Sequence, residues 1–248
     1  MLIVQDEEAL LPAALDSVSF CDEILVVDSG SSDRTCELAR GKGAKVMVNR
    51  PWPGFVVQRN FATEQARHHW ILAVDADERV TPELRAEIEA ERARGFAHAG
   101  YRIPRVAHYL GCWIRGTDWY PDPQLRLFDR RRGRWQGKLV HESVRTDGSV
   151  GRFRNEMEHL TYRDLSHHLR TIDSYTTLWA RQAFEEGRRA GAVQAAGACG
   201  WAFVRNYLLK GGFWLGAAGL TVSTLNSYYA YLKLAKLKEL RENGGRGR

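Results

Sequence analysis

The first part of the chain alternates short apolar runs with amphipathic stretches. Residues 2–4 read as a brief first strand, and residues 7–18 as a helix with one apolar face. EILVVD (23–28) is a continuous apolar run closed by an acid, the pattern of a strand buried on both faces. The turn chemistry of SGSSDRT then opens a helix that Gly41 or Gly43 stops. KVMVN (45–49) predicts the next strand, PWPG a loop, and FVVQRNFATEQARHH a helix. WILAVD (70–75) is a further buried strand, after which Thr81 as N-cap and Pro82 at the first helical position open a helix closed by Gly95. Strands alternating with helices predict an α/β fold, a mostly parallel Rossmann-like sheet with helices on both faces. Such sheets bind ligands beyond the carboxyl ends of their strands, where Asp28, Asp75 and Asp77 all stand.

From about residue 100 the pattern changes to alternation, aromatics and turns, which predicts short strands and long loops. From Leu165 it becomes helical, so a boundary is expected between a domain at 1–163 and a helical extension at 164–248. Residues 211–232 carry no charge over 22 positions, about a bilayer span in length, yet glycines, hydroxyls and Asn226 make them poorly apolar. With Lys210, Lys233, Lys236 and Lys238 around them and Trp201, Trp214, Tyr228, Tyr229 and Tyr231 nearby, an interfacial helix pair in peripheral membrane contact is expected. Core packing or a homodimer interface is the alternative use of that surface. The opening MLIVQDEEALL lacks the basic start of a signal peptide. Four widely spaced cysteines predict free thiols in a reducing cytoplasm and no structural zinc. A net charge of +6 and a pI near 9.2 favour an anionic partner: a nucleotide, an acidic glycolipid or a membrane surface. No helix-turn-helix, zinc-finger or RNP-like pattern accompanies that charge, so nucleic acid is not expected.

The chemistry concentrates in WILAVDADERVTPEL (70–84). Asp75 and Asp77 are separated by one residue, so in extended backbone they point the same way. Such a pair either solvates a strand end or holds a cation, since two carboxylates side by side repel. Mg²⁺ or Mn²⁺ commonly joins one or two carboxylates to substrate phosphates. Asp28 precedes a flexible glycine-containing turn, which it either caps or shares with an anion. VHE places His141 beside Glu142: the imidazole is a candidate further metal ligand, and Glu142 or Asp122 a candidate general base. Arg59 and Arg126 are candidate phosphate neutralisers or structural ion-pair members. An aspartyl phosphoryl-transfer enzyme would want threonine two residues after the second aspartate, where Arg79 stands.

VQDEEALLPAALDSVSFCDEILVVDSGSSDRTCELARGKGAKV, GFVVQRNFA, WILAVDADERVTPEL, GYRIPR, YLG, WYPDPQLRLF and VHE occur in that order. Together they resemble family 2 glycosyltransferases, and more narrowly the lipopolysaccharide-core β-1,4-glucosyltransferase type of Gram-negative bacteria. The resemblance implies a GT-A fold, with a nucleotide-binding half at about 1–99 and an acceptor half at about 100–163. It also implies a UDP-sugar donor, a divalent metal and single-step inversion at the cytoplasmic face of the membrane. Carried over by position, Gln5, Glu7 and Asp28 lie at the nucleotide. Asp75 approaches the ribose or metal, Asp77 binds the metal, and His141 is a further ligand. Glu142, or else Asp122, is the base. Two features depart from the family: QDEE stands where an Asn-Glu-Glu is usual, behind a first strand that reads as clipped. RRRGRW carries Arg131 in place of the glutamine of processive members, which implies transfer of one sugar at a time.

Overall fold

The computed structural model describes residues 1–137 and 142–244. The chain divides into two compact units, Met1–Val106 with Asp122–His159, and Ala107–Pro121 with Leu160–Arg248. The first unit begins with β1 (Leu2–Val4), α1 (Leu11–Ser17), β2 (Leu25–Asp28), α2 (Thr35–Gly41) and β3 (Lys45–Val48). These three strands pair in parallel, with Val4 opposite Asp28 and Asp28 opposite Val48. Leu2, Val4 and Val26 pack with Leu11, Leu15 and Leu84, whereas Ile3, Leu25 and Val27 pack with Ala62 and Phe128. Successive residues thus enter opposite cores, which is why these strands read as unbroken apolar runs.

Next come α3 (Phe55–Gln65), β4 (Trp70–Leu72), β5 (Glu78–Val80) and α4 (Pro82–Ala93). Helix α3 stops at Gln65 and does not continue through ARHH, because Ala66 turns to extended backbone at ψ 142°. The Met1 amine donates to the Leu72 carbonyl at 2.9 Å and Val74 N–H to the Met1 carbonyl at 3.1 Å, so β4 lies beside β1. Thr81 caps α4 as expected, its hydroxyl accepting from Leu84 N–H at 3.2 Å. The remaining strands are β6 (Gly100–Tyr109), β7 (Cys112–Ile114), β8 (Asp122–Asp129), β9 (Gly133–Gln136), β10 (Ser143–Thr146), β11 (Val150–Arg152) and β12 (Met157–His159). Strand β8 runs antiparallel between β4 and β6, and β12 joins β6 to β5. The unit is therefore α/β, with its parallel pairing concentrated in β1–β3 and antiparallel pairing among most of the later strands. Strand β5 is not evident in the sequence, since three residues are too few to show a period of two.

The second unit takes the end of β6 with β7, then α5 (Leu165–Glu185), α6 (Ala192–Phe203) and α7 (Gly216–Gly244). Tyr109, Ile114 and Val222 form one of its cores. The buried His168 ring stacks on Tyr162 at 4.0 Å and shares a 3.0 Å hydrogen bond with the Tyr109 hydroxyl. Burial first, and then the neighbouring His167, push its pKa down to about 4, so it sits neutral in this core. Gly219 within 211–232 has a packing reason: a Cβ there would lie 1.8 Å from the Gly212 carbonyl oxygen. No helix of the described residues is long and apolar enough to cross a membrane. Trp201, Leu208, Leu209 and Trp214 are nonetheless exposed, Trp214 at 81%.

Candidate active site

Two loops meet beyond the carboxyl ends of β1 and β2. Asp6 accepts from Ser32 N–H at 2.7 Å, and Glu7 N–H donates to the Thr35 hydroxyl at 2.7 Å. Asp28 is buried, and its carboxylate accepts from Gly30 N–H at 2.7 Å, Ser31 N–H at 2.9 Å and the Ser31 hydroxyl. Gly30 needs its freedom, since its φ of 108° lies outside the range of ordinary side chains. Asp28 thus shapes the turn that follows it. Gln5 is exposed at the mouth of the same two loops.

At the end of β4 the charges form an alternating chain. Arg59, buried on α3, donates to Asp75 Oδ1 at 2.7 Å, and Arg126, buried on β8, donates to Asp75 Oδ2 at 2.6 Å. Arg126 also donates to Glu78 Oε1 at 2.5 Å, and Arg105 of β6 reaches the same oxygen at 2.7 Å. Arg105 continues to Asp122, which also accepts from Gln124 at 2.5 Å. At the other end Glu142 lies 3.6 Å from Arg59, whose guanidinium stacks over the Trp135 ring at 4.6 Å. Glu142, Arg59, Asp75, Arg126, Glu78, Arg105 and Asp122 therefore alternate in sign across the site. Burial alone would raise the Asp75 carboxyl, but Arg126 and Arg59 outweigh it and hold it well below the usual carboxylate range. Glu78 and Asp122 are likewise held down, against burial, chiefly by Arg126 and by Arg105 respectively. Arg126 is raised for the converse reason: Asp75 and Glu78 overcome the cost of burying its charge.

Arg59 Nε and Nη1 and Arg126 Nε are buried without a hydrogen-bond acceptor among the described residues. Buried donors of this kind normally find partners; the Glu142 carboxylate lies 3.6 Å from Arg59 Nε, and the other two N–H groups keep hydrogen-bonding capacity in reserve.

Asp77 stands apart from the chain of arginines. Its Oδ2 lies 3.2 Å from His159 Nε2, brought there because β12 pairs with β5 and sets His159 opposite Glu78. No cluster of three or more His, Cys, Asp or Glu that could hold a metal occurs among the described residues. One carboxylate and one imidazole still fit Mg²⁺ or Mn²⁺, which leave several positions to phosphate oxygens and water. His141 lies outside the described residues.

The structure brings Asp75, Arg59, Arg126 and Glu142 together, with Asp122 linked through Glu78 and Arg105, and it gathers Gln5, Glu7 and Asp28 at the neighbouring loops. Sequence reading missed Arg105 and His159, and it did not single out Glu78 for chemistry. The wholly buried Glu78 is an anchor for two arginines. In MEHL the histidine stands between Glu158 and Leu160, and no local signal ties it to Asp77. The basic run after β8 is divided between its own hairpin and α3: Arg131 pairs with Asp129 and Arg132 donates to the Asp147 carbonyl, whereas Arg130 donates to the Thr63 and Glu64 carbonyls and Arg134 lies 3.6 Å from Glu64.

The chain is similar to several known proteins. Residues 2–148 match the family model described as glycosyl transferase family 2. The lipopolysaccharide core biosynthesis glycosyltransferase LpsC of Rhizobium meliloti (strain 1021) is 30% identical over 95% of this chain and 90% of its own. S. aureus TarS (1–349) superposes over 100% of this chain and 90% of that one, with 13% identity and a TM-score of 0.47. Glucosyl-3-phosphoglycerate synthase from Mycobacterium tuberculosis, in complex with Mn²⁺, UDP and glucosyl-3-phosphoglycerate, is 24% identical over 44% of this chain and 43% of that one, with a TM-score of 0.35. With more than half of its length in the family match and nearly all of it aligned to LpsC, this chain belongs to glycosyl transferase family 2 and is a glycosyltransferase.

Proposed function

We propose that the enzyme moves one sugar, with inversion, from a UDP-sugar such as UDP-glucose to a lipopolysaccharide core acceptor, in a step that needs a divalent cation. The observation that carries this reading is the pairing of His159 with Asp77, two residues along the chain from Asp75, which two buried arginines hold. Asp77 and His159 would hold the cation, with Asp75 and His141 the further candidates. When bound, such an ion offsets the charge that develops on a departing diphosphate. Arg59 and Arg126 supply fixed positive charge in a site of low dielectric, where it is most effective. Gln5, Glu7 and Asp28 frame the nucleotide. Glu142 is the favoured base that takes the acceptor's hydroxyl proton. Asp122, with Arg105 and Gln124 on its oxygens, is held low and is the weaker proton acceptor. The lipopolysaccharide acceptor rests on the similarity to LpsC; a polyprenyl-phosphate or protein acceptor is the second reading.

A panel of nucleotide sugars, assayed for metal-dependent release of the nucleoside diphosphate, tests the donor. Hydrolysis of a UDP-sugar that stops on chelation is expected. Metal-independent hydrolysis, or none with any UDP-sugar and no UDP binding by calorimetry, would overturn the reading. We further propose that the enzyme acts at the inner face of the cytoplasmic membrane; the exposure of Trp201, Leu208, Leu209 and Trp214, near Lys210 in sequence, supports that reading. Co-sedimentation with vesicles containing anionic lipid should be strong and should fall at least fivefold in a Leu209→Ser, Trp214→Ser double variant. Equal sedimentation of both proteins would remove this face from consideration.

A further inference from the structure

Within the second unit a cavity of about 390 Å³ opens between α5 and α7. His168, Ile172 and Tyr175 reach it from one helix, and Asn226, Tyr229 and Lys233 from the other, each set at helical spacing on a single face. Trp119, Tyr162 and Arg205 complete the part that matters here. Its volume is within the roughly 300–1,000 Å³ typical of small-molecule sites.

The lining has two halves. One is aromatic: Trp119, Tyr162, Tyr175 and Tyr229 border it. Trp119 is held in place by its indole N–H, which donates to Asn226 Oδ1 at 3.1 Å, and Tyr162 by its stack on His168. The other half is cationic and undercompensated. The one carboxylate at the cavity, Asp118, is already engaged by Arg205, by Lys210 at 2.9 Å and by Asn206 at 2.9 Å. Lys233 has no carboxylate partner among the described residues; its ammonium rests 5.0 Å from the ring centres of Trp179 and Tyr229. Arg205 Nε is buried with no acceptor. Burial first, and then Arg188 and Arg205, press the Lys233 pKa below its usual value, as expected for a cation lacking a counter-charge.

Ordered aromatic faces beside Lys233, which has no carboxylate partner among the described residues, and Arg205, which keeps one N–H without an acceptor, suit a ring with apolar C–H faces and a negative substituent. We propose that this cavity binds a pyranose bearing a phosphate or a carboxylate: the ring lies against Trp119 and Tyr229, and the anion meets Lys233 and Arg205. The binding stands on the cavity alone; only the further statement that such a sugar belongs to the acceptor rests on the proposed function.

The test titrates the full-length protein, saturated with UDP and Mg²⁺, with glucose, glucose 6-phosphate, glucuronate and inorganic phosphate. It follows the Trp119 indole N–H resonance, assigned with Trp119→Phe. At least one charged sugar should bind fivefold or more tightly than glucose and than phosphate; whichever it is identifies phosphate or carboxylate as the natural anion. Lys233→Gln should abolish that preference and Lys233→Arg should keep it, each with an otherwise unchanged indole spectrum. No preference for charged sugar in the wild-type protein, or an equal one in Lys233→Gln, overturns the proposal. Absent UDP binding, by contrast, would sink the donor assignment and leave the titration readable.

Discussion

Replacing Asp77 with asparagine should lower kcat/KM for sugar transfer by about a thousandfold, roughly 4 kcal/mol of barrier. Asparagine keeps the shape of the side chain and removes the negative charge that a cation needs. Asp77 takes no part in the arginine network, and its partner is His159 at 3.2 Å. The substitution should therefore cost the fold less than about 0.5 kcal/mol, the usual range for a partly exposed position. Calorimetry separates the effects without relying on turnover. UDP affinity in Mn²⁺ should drop to the value seen in chelator, whereas affinity in chelator should stay unchanged. His159→Ala should show the same pattern more weakly, because one ligand of the pair remains. An Asp77→Asn enzyme that keeps its metal-dependent UDP affinity would place the cation elsewhere.

Arg126→Met should have the largest effect on stability, a loss of about 3–5 kcal/mol at neutral pH. Arg126 is buried and donates to both Asp75 and Glu78, at 2.6 and 2.5 Å. Methionine fills similar volume, so the loss reports charge more than a cavity. Without Arg126, Asp75 keeps Arg59 and Glu78 keeps Arg105, but burial and their mutual repulsion are then far less opposed. The pH dependence gives the signature. In the wild-type protein the two carboxyls titrate below their unfolded values, so their contribution is present above about pH 4 and fades as pH falls through the lower folded values. In Arg126→Met their folded pKa values rise, so acid relieves the defect by protonating them. The gap between the two proteins in urea should narrow from pH 7 to pH 5. A constant gap would mean that packing, not charge, sets the cost.

Much of the first unit is legible because its signals are local. The runs 23–28 and 45–49 announce strands covered on both faces, and the positions of Leu25, Val26 and Val27 in two opposite cores give the reason. Thr81–Pro82 fixes the start of α4 through a contact only three residues long. Strand β5 was hidden because Glu78–Val80 becomes a strand only when β12 arrives beside it. The apolar, glycine-rich stretch at 211–232 invites a membrane reading from composition, whereas the close approach of Gly219 to Gly212 shows where at least one glycine is required by packing.

The sequence by itself determined the family motifs and their order, the strand ends that carry acids, and hence where chemistry could reside. It singled out Asp75 and Asp77 and left Glu78 aside, but it could not show which of the three carboxylates the arginines would claim. Their separation comes from partners far away: Arg126 lies 51 residues from Asp75 and 48 from Glu78, and His159 lies 82 from Asp77. Strand pairing delivers two arginines from β6 and β8 to one pair of carboxylates and a histidine from β12 to the third. Coulomb attraction at hydrogen-bond distance then commits Asp75 and Glu78 to the scaffold and leaves Asp77 with a neighbour that can share a metal. Local propensity fixes which residues form the strand; the free carboxylate at its end is chosen by which strands come to lie beside it.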